Sequence, residues 1–407
     1  MNLVKRISRP LAHCGLLFIV ACGLISSGCG KKEAVVYPEF VKGEIAPASN
    51  DHPLQKAGQQ ALSDVGDLRT RSNFTPTLRS RFVSRLTPSI NSLMASAENG
   101  IPYTPRNLYE ELEWLEGLSI LSRAAAMKIE DSIADGSWDA ATRHVIGVTR
   151  AGYSLMQADT LYAAAGIEMI ETVRAAYAPH LSKAPAGSLS QLSDALIKLE
   201  RERPQLELPI RNEAQNFDFA VQYIQDQIIA GKLENLESTF FKDSRPAIDY
   251  LKNLSEEERP SYFERFRNEG DDWIKHYADA VVLPRSQRSE FEFDRRADRP
   301  WKRFAFQIYS VVETYVAMND RHNARQRLFI LTAYSYAQSK SKGDAPLDFN
   351  SLPEAIRMDP YSGQDFPYRR AGKDFQIYSV GEDLRDDGGE SNQSGLEPDL
   401  MLEGASF

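Results

Sequence analysis

The amino-acid sequence predicts a mostly α-helical protein, a bundle of antiparallel helical hairpins, with a small α+β hairpin module near its C-terminal end. Three observations predict this fold. Apolar residues recur every three or four positions across residues 55–342, short breaks rich in glycine or proline separate these stretches, and the composition changes after Lys342. The chain has 407 residues, of which 42% are hydrophobic and 26% charged. This composition is typical of globular proteins, and the length is sufficient for two or three domains.

The first 28 residues have the pattern of a secretory signal peptide. Basic residues precede an apolar stretch from Gly15 to Ile25, and the small residues Ser26-Ser27-Gly28 lie directly before Cys29. This order resembles the lipobox of bacterial lipoproteins, in which the cysteine is acylated, becomes the new N-terminus and anchors the chain to a membrane. The resemblance implies lipidation at Cys29. Residues 29–54 lack a helical period and are predicted to be the lipidated tether.

The N-terminal pattern leaves two alternatives open. Ser26 stands three positions before Cys29, where the lipoprotein family carries Leu, Val or Ile, and Cys22 after Ile19-Val20-Ala21 fits that local pattern better. Acylation at Cys22 would leave only a stub of apolar sequence before the cleavage site. A plain cleaved signal or an uncleaved anchor is the other alternative.

Charge and cysteine content exclude several classes of function. The net charge of −9 and the pI near 5.4 argue against a chain that binds nucleic acid by bulk charge. All three cysteines lie within the first 29 residues. The rest of the chain therefore has no disulfide, no cysteine nucleophile and no thiolate metal site. An acidic body gains no attraction from anionic lipid, so the acyl chains would supply the membrane anchorage.

An all-helical domain is predicted for residues 55–323. Thr104-Pro105 begins a helix that Asp135-Gly136-Ser137 ends, and Ser137 is the expected N-cap of the next helix. Two amphipathic helices joined by so short a break pack antiparallel. Gly136, Trp138 and Ala140 resemble one tetratricopeptide-type hairpin. An ordinary helical hairpin explains these residues equally well, and the pattern does not recur at a fixed period.

Further helices are predicted along the same domain. Ala163–Gly166 is a run of small residues and predicts a face for close helix packing. The other predicted helices cover residues 189–202, residues 210–229, the stretch opened by the capping box Ser255–Glu258, residues 301–318 and residues 324–335. Residues 284–300 are dense in charge and are predicted to be an exposed connection.

Residues 324–390 are predicted to form the C-terminal module. Phe366–Arg370 and Phe375–Val380 alternate like strands on either side of a turn. The motifs that follow the helix resemble the C-terminal module of a major pseudopilin of type II secretion; they are Gly343-Asp344-Ala345-Pro346, Asp359-Pro360-Tyr361-Ser362-Gly363, Tyr378-Ser379-Val380-Gly381 and Asp386-Asp387-Gly388-Gly389. The resemblance implies a small sheet packed on a helix and a calcium-binding loop after the last strand.

The calcium ligands implied by this resemblance are Asp383, Asp386 and Asp387, with Glu390 as a further oxygen donor. A solvated acidic turn is the alternative. The module lacks an adjoining pilin-type N-terminal helix with its own cleavage site, so polymerisation as a pilin is not expected. Residues 391–407 are predicted to be an acidic, disordered tail.

No motif for catalysis is recognisable in the sequence. A Gly-x-Ser-x-Gly elbow, a phosphate loop and a His-Glu-x-x-His motif are all missing. Asp272 and His276 are spaced to share a helical face and to begin a metal site, but a single pair of this kind is more commonly a surface contact. We therefore predict no catalytic residue and no cofactor apart from calcium.

The sequence thus predicts a lipid-anchored protein of the cell envelope that faces the periplasm or another extracytoplasmic space. Its predicted role is that of a helical scaffold or protein-binding module without catalytic activity, with a protein partner and no nucleic acid. Two alternatives stay open. One is an envelope hydrolase or ligand-binding enzyme with an unrecognised site, and the other is an accessory component of a secretion or pseudopilus-like system.

Overall fold

A computed structural model of the protein describes residues 52–69, 71, 73–97, 112–232, 245–289, 300–344, 349–371, 374–389 and 399–402. Within these ranges the protein is mostly helical with a small two-stranded antiparallel sheet, and this confirms the predicted fold class. The helices are α1 (Pro53–Val65), α2 (Pro76–Ser96), α3 (Glu113–Ala134), α4 (Trp138–Leu155), α5 (Thr160–Tyr177), α6 (Ala186–Glu202), α7 (Leu208–Ile229), α8 (Arg245–Asn253), α9 (Arg259–Val281), α10 (Pro300–Lys342) and α11 (Glu354–Arg357), and the strands are β1 (Tyr368–Ala371) and β2 (Asp374–Ile377).

The predicted signal peptide and most of the tether lie outside the described residues. Across the part of the chain that the structure describes, no helix is both long enough and apolar enough to cross a bilayer.

The predicted helical hairpin at Gly136 is confirmed, but its first helix begins at Glu113, and the predicted start at Thr104-Pro105 lies outside the described residues. The turn of the hairpin has a clear physical basis. Gly136 has a φ of 74°, which costs a glycine nothing and strains a residue with a Cβ atom. The Gly136 N–H donates to the Ile133 carbonyl at 3.0 Å and the Ser137 N–H donates to the Ser132 carbonyl at 2.7 Å. These two bonds form a Schellman motif that ends α3. Ser137 precedes α4 as predicted, but its side chain makes no capping hydrogen bond.

Two pairs of helices cross at glycines, which lets their backbones touch. Gly152 on α4 faces Gly166 on α5, and a Cβ atom at Gly152 would lie 2.6 Å from the Gly166 carbonyl oxygen. Gly58 on α1 faces Gly117 on α3 in the same way. The smooth face predicted from Ala163–Gly166 is therefore used for close packing against α4.

The longest helix differs from the prediction. The sequence predicts separate helices over residues 301–318 and 324–335, but α10 runs without a break from Pro300 to Lys342. The polar residues 319–323 resemble an interruption in the sequence. In the structure Asn319, Asp320, His322 and Asn323 are all buried. They stay helical because neighbouring elements supply polar and charged partners to several of them.

The C-terminal sheet packs on α10. Strands β1 and β2 pair antiparallel with Tyr368 opposite Ile377, and the ring of Phe375 lies 4.7 Å from the ring of Tyr336 on α10. The predicted hairpin is thereby confirmed. Of the predicted exposed connection 284–300, residues 290–299 lie outside the described residues. Residues 284–289 are not simply exposed, because the Arg285 and Ser286 N–H groups donate to the Pro360 and Tyr361 carbonyls, each at 2.9 Å.

Part of the predicted disordered tail is paired. Ser379 and Leu400 form an antiparallel bridge, with hydrogen bonds of 2.9 and 2.8 Å between their backbone groups, and the Leu402 side chain is buried. The prediction of disorder therefore does not hold for residues 399–402. Residues 390–398 and 403–407 lie outside the described part of the chain.

Candidate binding site

The predicted lipidation residues Cys29 and Cys22 lie outside the described residues, so lipidation stays a prediction. Of the predicted calcium ligands, Asp383, Asp386 and Asp387 fall within the described part, and Glu390 lies outside it. Asp386 Oδ1 accepts hydrogen bonds from the Tyr378 hydroxyl and the Gly388 N–H, both at 2.9 Å, and Asp383 Oδ1 accepts one from the Arg385 N–H at 3.0 Å. These bonds hold the turn after β2.

No group of three or more His, Cys, Asp or Glu side chains is arranged to hold a metal ion among the residues that the structure describes. Calcium at Asp383, Asp386 and Asp387 therefore stays a prediction. Asp272 and His276 both lie on α9, where the His276 ring packs edge-on against the ring of Tyr277. Burial lowers the pKa of His276 and favours its neutral form.

Asp359 joins two of the four sequence motifs on which the pseudopilin resemblance depends. Its carboxylate accepts hydrogen bonds from the Tyr361 N–H at 3.0 Å, the Ser379 hydroxyl at 2.8 Å and the Val380 N–H at 3.1 Å. Burial raises the pKa of Asp359 despite these bonds. One buried carboxylate thus fixes the Asp-Pro-Tyr-Ser-Gly turn against the strand-end motif 378–381.

The strongest candidate for a binding site is a cleft of about 300 Å³ between the C-terminal ends of α4 and α6. We call it the Tyr153 cleft. Its lining is largely polar and comes from segments that are distant in sequence. The lining residues are Ala97, Arg150, Tyr153, Ser154, Gln157, Lys198, Leu199, Glu202, Arg203 and Pro204. Its size is at the lower end of the range for small-molecule sites.

Tyr153 and Arg203 form the part of the cleft that is held most firmly. The Tyr153 hydroxyl donates a hydrogen bond to the Glu200 carboxylate, and Arg203 forms an ion pair with Glu200 at 3.2 Å. Arg203 Nη1 also donates to Asn323 Oδ1 on α10 at 2.6 Å. Burial, followed by the charge of Glu200, raises the pKa of Tyr153 far above its usual range. The phenol therefore stays protonated and acts as a hydrogen-bond donor.

A second buried network lies directly behind Tyr153. The Tyr153 ring packs edge-on against the ring of His322, with 6.4 Å between the ring centroids. His322 Nδ1 lies 2.9 Å from Glu171 Oε1, and Glu171 also pairs with Arg174 and Arg325. Burial alone would raise the pKa of Glu171, but the charge of Arg174 and the hydrogen bond with His322 outweigh burial and lower it.

The face of α10 next to this network carries polar atoms without partners. The amide groups of Asn319 and Gln326 and the Nε2 atom of His322 are buried and have no hydrogen-bond partner among the described residues. Buried polar atoms of this kind are commonly satisfied by ordered water. The polar stripe of α10 is therefore suited to hold internal water behind the Tyr153 cleft.

A larger cleft of about 790 Å³ lies where the turn before α4 meets the first turn of α6. Trp138 and Arg143 line it, and the carboxylate of Asp139 accepts a hydrogen bond from the Ser188 hydroxyl at 2.8 Å. This cleft is more open to solvent than the Tyr153 cleft, and its acidic group is already paired. It is therefore the weaker candidate.

Tyr153, Glu200 and Arg203 were not recognisable as site residues in the sequence. Tyr153 and Glu200 are 47 positions apart, and Arg203 and Asn323 are 120 positions apart, so no local spacing connects them. The polar run 319–323 within an apolar helix was the available signal. Neither cleft is lined by Asp272 or His276. No protein family, no curated protein and no solved structure matches this chain.

Proposed function

We propose that this chain is a lipid-anchored cell-envelope protein whose helical body is a scaffold that binds a partner through the Tyr153 cleft. The observation that carries the proposal is the pair of polar groups in the cleft, Tyr153 and Arg203, fixed from behind by Glu200 and Asn323. A site whose side chains are already ordered loses less conformational entropy when it binds. Tyrosine and arginine are also the residue types that contribute most to recognition.

Binding fits this geometry better than catalysis does. A general base or nucleophile must give up or accept a proton near neutral pH, and the raised pKa of Tyr153 keeps its phenol protonated. The Glu200 carboxylate is already engaged by both Tyr153 and Arg203. An envelope enzyme would need a reactive group in the cleft, and these contacts already engage Tyr153 and Glu200.

The membrane anchor is supported by the sequence around Cys29 and by the tether that follows it. Mass analysis of the mature N-terminus tests it directly. We expect an acylated N-terminal cysteine in the native protein and its loss in Cys29→Ser. Loss of acylation only in Cys22→Ser would show that the alternative cysteine, Cys22, carries the lipid. An unmodified initiator methionine in the native protein would contradict lipid anchoring.

A second candidate function is that of an accessory component of a secretion or pseudopilus-like system. The observation that favours it is Asp359, which connects two of the four motifs that carry the pseudopilin resemblance. Asp359→Asn in the full chain tests this candidate. We expect it to abolish co-purification with secretion components while the helical content is retained, and unchanged co-purification would contradict the accessory role.

Site-specific photocrosslinking in intact cells tests binding at the Tyr153 cleft. A photoreactive residue in place of Lys198, which lines the cleft, is compared with the same residue in place of Lys183, which is exposed elsewhere. We expect a discrete adduct from position 198 only. Equal adducts from both positions would contradict a specific site, and the mass of the adduct identifies the partner.

A further inference from the structure

The Tyr153 cleft has an excess of positive charge on a strongly acidic protein. Three cations line it, namely Arg150, Lys198 and Arg203, whereas Glu202 is its only acidic lining residue. The chain as a whole has a net charge of −9. A cationic cleft on such a protein is a local feature that attracts anions to one place.

The ion pairs of these residues show which cation of the cleft has no acidic partner among the described residues. Lys198 lies 3.7 Å from Glu202, and Arg203 lies 3.2 Å from the buried Glu200. The Arg150 guanidinium has no hydrogen-bond or ion-pair partner among the residues that the structure describes. Within that part of the chain, the cleft therefore carries one unmatched positive charge, at Arg150.

We propose that the Tyr153 cleft binds a small carboxylate, with Arg150 as the residue that pairs with it. This inference rests on the proposed binding function and names its ligand class. A single unmatched charge suits a monoanion better than the dianion of phosphate, because Glu200 and Glu202 lie close by and repel a second negative charge. The planar guanidinium of Arg150 matches the two oxygens of a carboxylate.

The size and the remaining groups of the cleft fit the same ligand. A volume of about 300 Å³ admits one small organic acid or the end of one peptide chain. The Arg203 guanidinium also borders the cleft, and its contacts with Glu200 and Asn323 hold it in place. Arg203 therefore borders the ligand in a fixed position, while Glu200 balances its charge.

Calorimetric titration of the full chain with N-acetylglycine tests the proposal. N-acetylglycinamide is the matched neutral ligand, and inorganic phosphate is the dianion. Acetate tests whether a free small acid binds as well as N-acetylglycine, which resembles the carboxyl end of a peptide. We expect N-acetylglycine to bind at least about tenfold more tightly than the amide, as a charge-assisted hydrogen bond predicts. Equal binding of acid and amide, or tighter binding of phosphate, would overturn the carboxylate assignment.

Two variants locate the binding. Arg150→Gln is expected to weaken N-acetylglycine binding about tenfold or more, whereas Arg201→Gln on α6 removes a neighbouring exposed charge outside the cleft and should leave binding unchanged. Equal effects of the two variants would overturn the site. Circular dichroism of both variants excludes misfolding as the cause.

The same variants separate this inference from the proposed function. Suppose that Arg150→Gln loses the crosslink in the envelope but the native protein does not bind N-acetylglycine. The cleft is then a binding site for another class of ligand, and the carboxylate proposal fails. Suppose instead that the native protein binds N-acetylglycine but Arg150→Gln does not change the crosslink at position 198. The carboxylate proposal is then supported. In that case the proposed partner site fails.

Discussion

The hydroxyl of Tyr153 donates a hydrogen bond to the carboxylate of Glu200, and this bond joins α4 to α6 at the floor of the cleft. Both residues are nearly inaccessible to solvent, with exposed fractions of 4% for Tyr153 and 9% for Glu200. Because Glu200 also pairs with Arg203, the bond connects the cleft to the polar face of α10.

Removal of the Tyr153 hydroxyl should destabilise the protein. Tyr153→Phe deletes one donor to a buried carboxylate, and we expect the free energy of unfolding to fall by about 2 kcal/mol, as for a hydrogen bond to a charged group. Denaturant unfolding measures this change. Tyr250→Phe, at a tyrosine that is 38% exposed, is the matched control and should leave stability unchanged. A similar small effect of both substitutions would contradict a structural role for the hydroxyl.

Removal of the Glu171 charge should lower the free energy of unfolding by more than removal of the Tyr153 hydroxyl does. Arg174 has a side chain that is only 1% exposed and loses its ion-pair partner in Glu171→Gln, so we expect the free energy of unfolding to fall by about 3 kcal/mol at pH 7. Glu202→Gln, at a carboxylate that is 58% exposed, is the control and should change stability by less than about 0.5 kcal/mol. A loss in Glu171→Gln no larger than in this control would contradict the network.

The pH dependence of the same variant tests the sign of the interaction. The pKa of Glu171 is lowered in the folded state, so its contribution to stability is complete above the unfolded pKa of about 4.3 and is lost as the pH falls further. The difference in unfolding free energy between the native protein and Glu171→Gln should therefore shrink between pH 5 and pH 3, a window of about two units around that value. A difference that grows on acidification would contradict the lowered pKa.

The glycine contact between α4 and α5 should not tolerate a side chain. A Cβ atom at Gly166 would collide with the Gly152 carbonyl oxygen, and we expect Gly166→Ala to lower the melting temperature by several degrees, as a loss of about 2 kcal/mol implies. Gly187→Ala in the first turn of α6 is the control, because its Cβ atom would meet nothing within 4 Å. It should leave stability equal or slightly higher. Equal melting temperatures for the two variants would contradict the close crossing.

Loss of the Asp359 charge should affect the C-terminal module selectively. Asp359→Asn removes the charge of a carboxylate that accepts hydrogen bonds from Tyr361 before β1 and from Ser379 and Val380 after β2. We expect hydrogen exchange of β1 and β2 to accelerate about tenfold or more, with little change in α3 and α4. Faster exchange across the whole helical body would contradict a local role for Asp359.

The positions of the helices were predictable from the sequence because local interactions determine them. The three-and-four spacing of apolar residues, Pro204 after α6 and Gly231 after α7 mark helix boundaries that the structure confirms. Apolar burial and turn chemistry act within a few residues, so they are readable from one chain. The hairpin of β1 and β2 was predictable for the same reason.

The cleft and its networks were not predictable because their causes are long-range. His322 contacts Glu171 across 151 positions of sequence, and nothing in the spacing of either residue indicates the pairing. The polar run 319–323 was misinterpreted as a break because buried polar residues are stable in a helix only when distant groups satisfy them. Such groups become visible only once α5, α6 and α10 are packed together.

The central claim is that Arg150, Tyr153 and Arg203 form one binding site, and the crosslink from position 198 tests it most directly. The adduct yield in intact cells is compared between the native background, Arg150→Gln and Arg201→Gln at equal protein levels. We predict that Arg150→Gln abolishes the adduct and that Arg201→Gln preserves it. An adduct of unchanged yield in Arg150→Gln would contradict the claim that this cleft binds the partner.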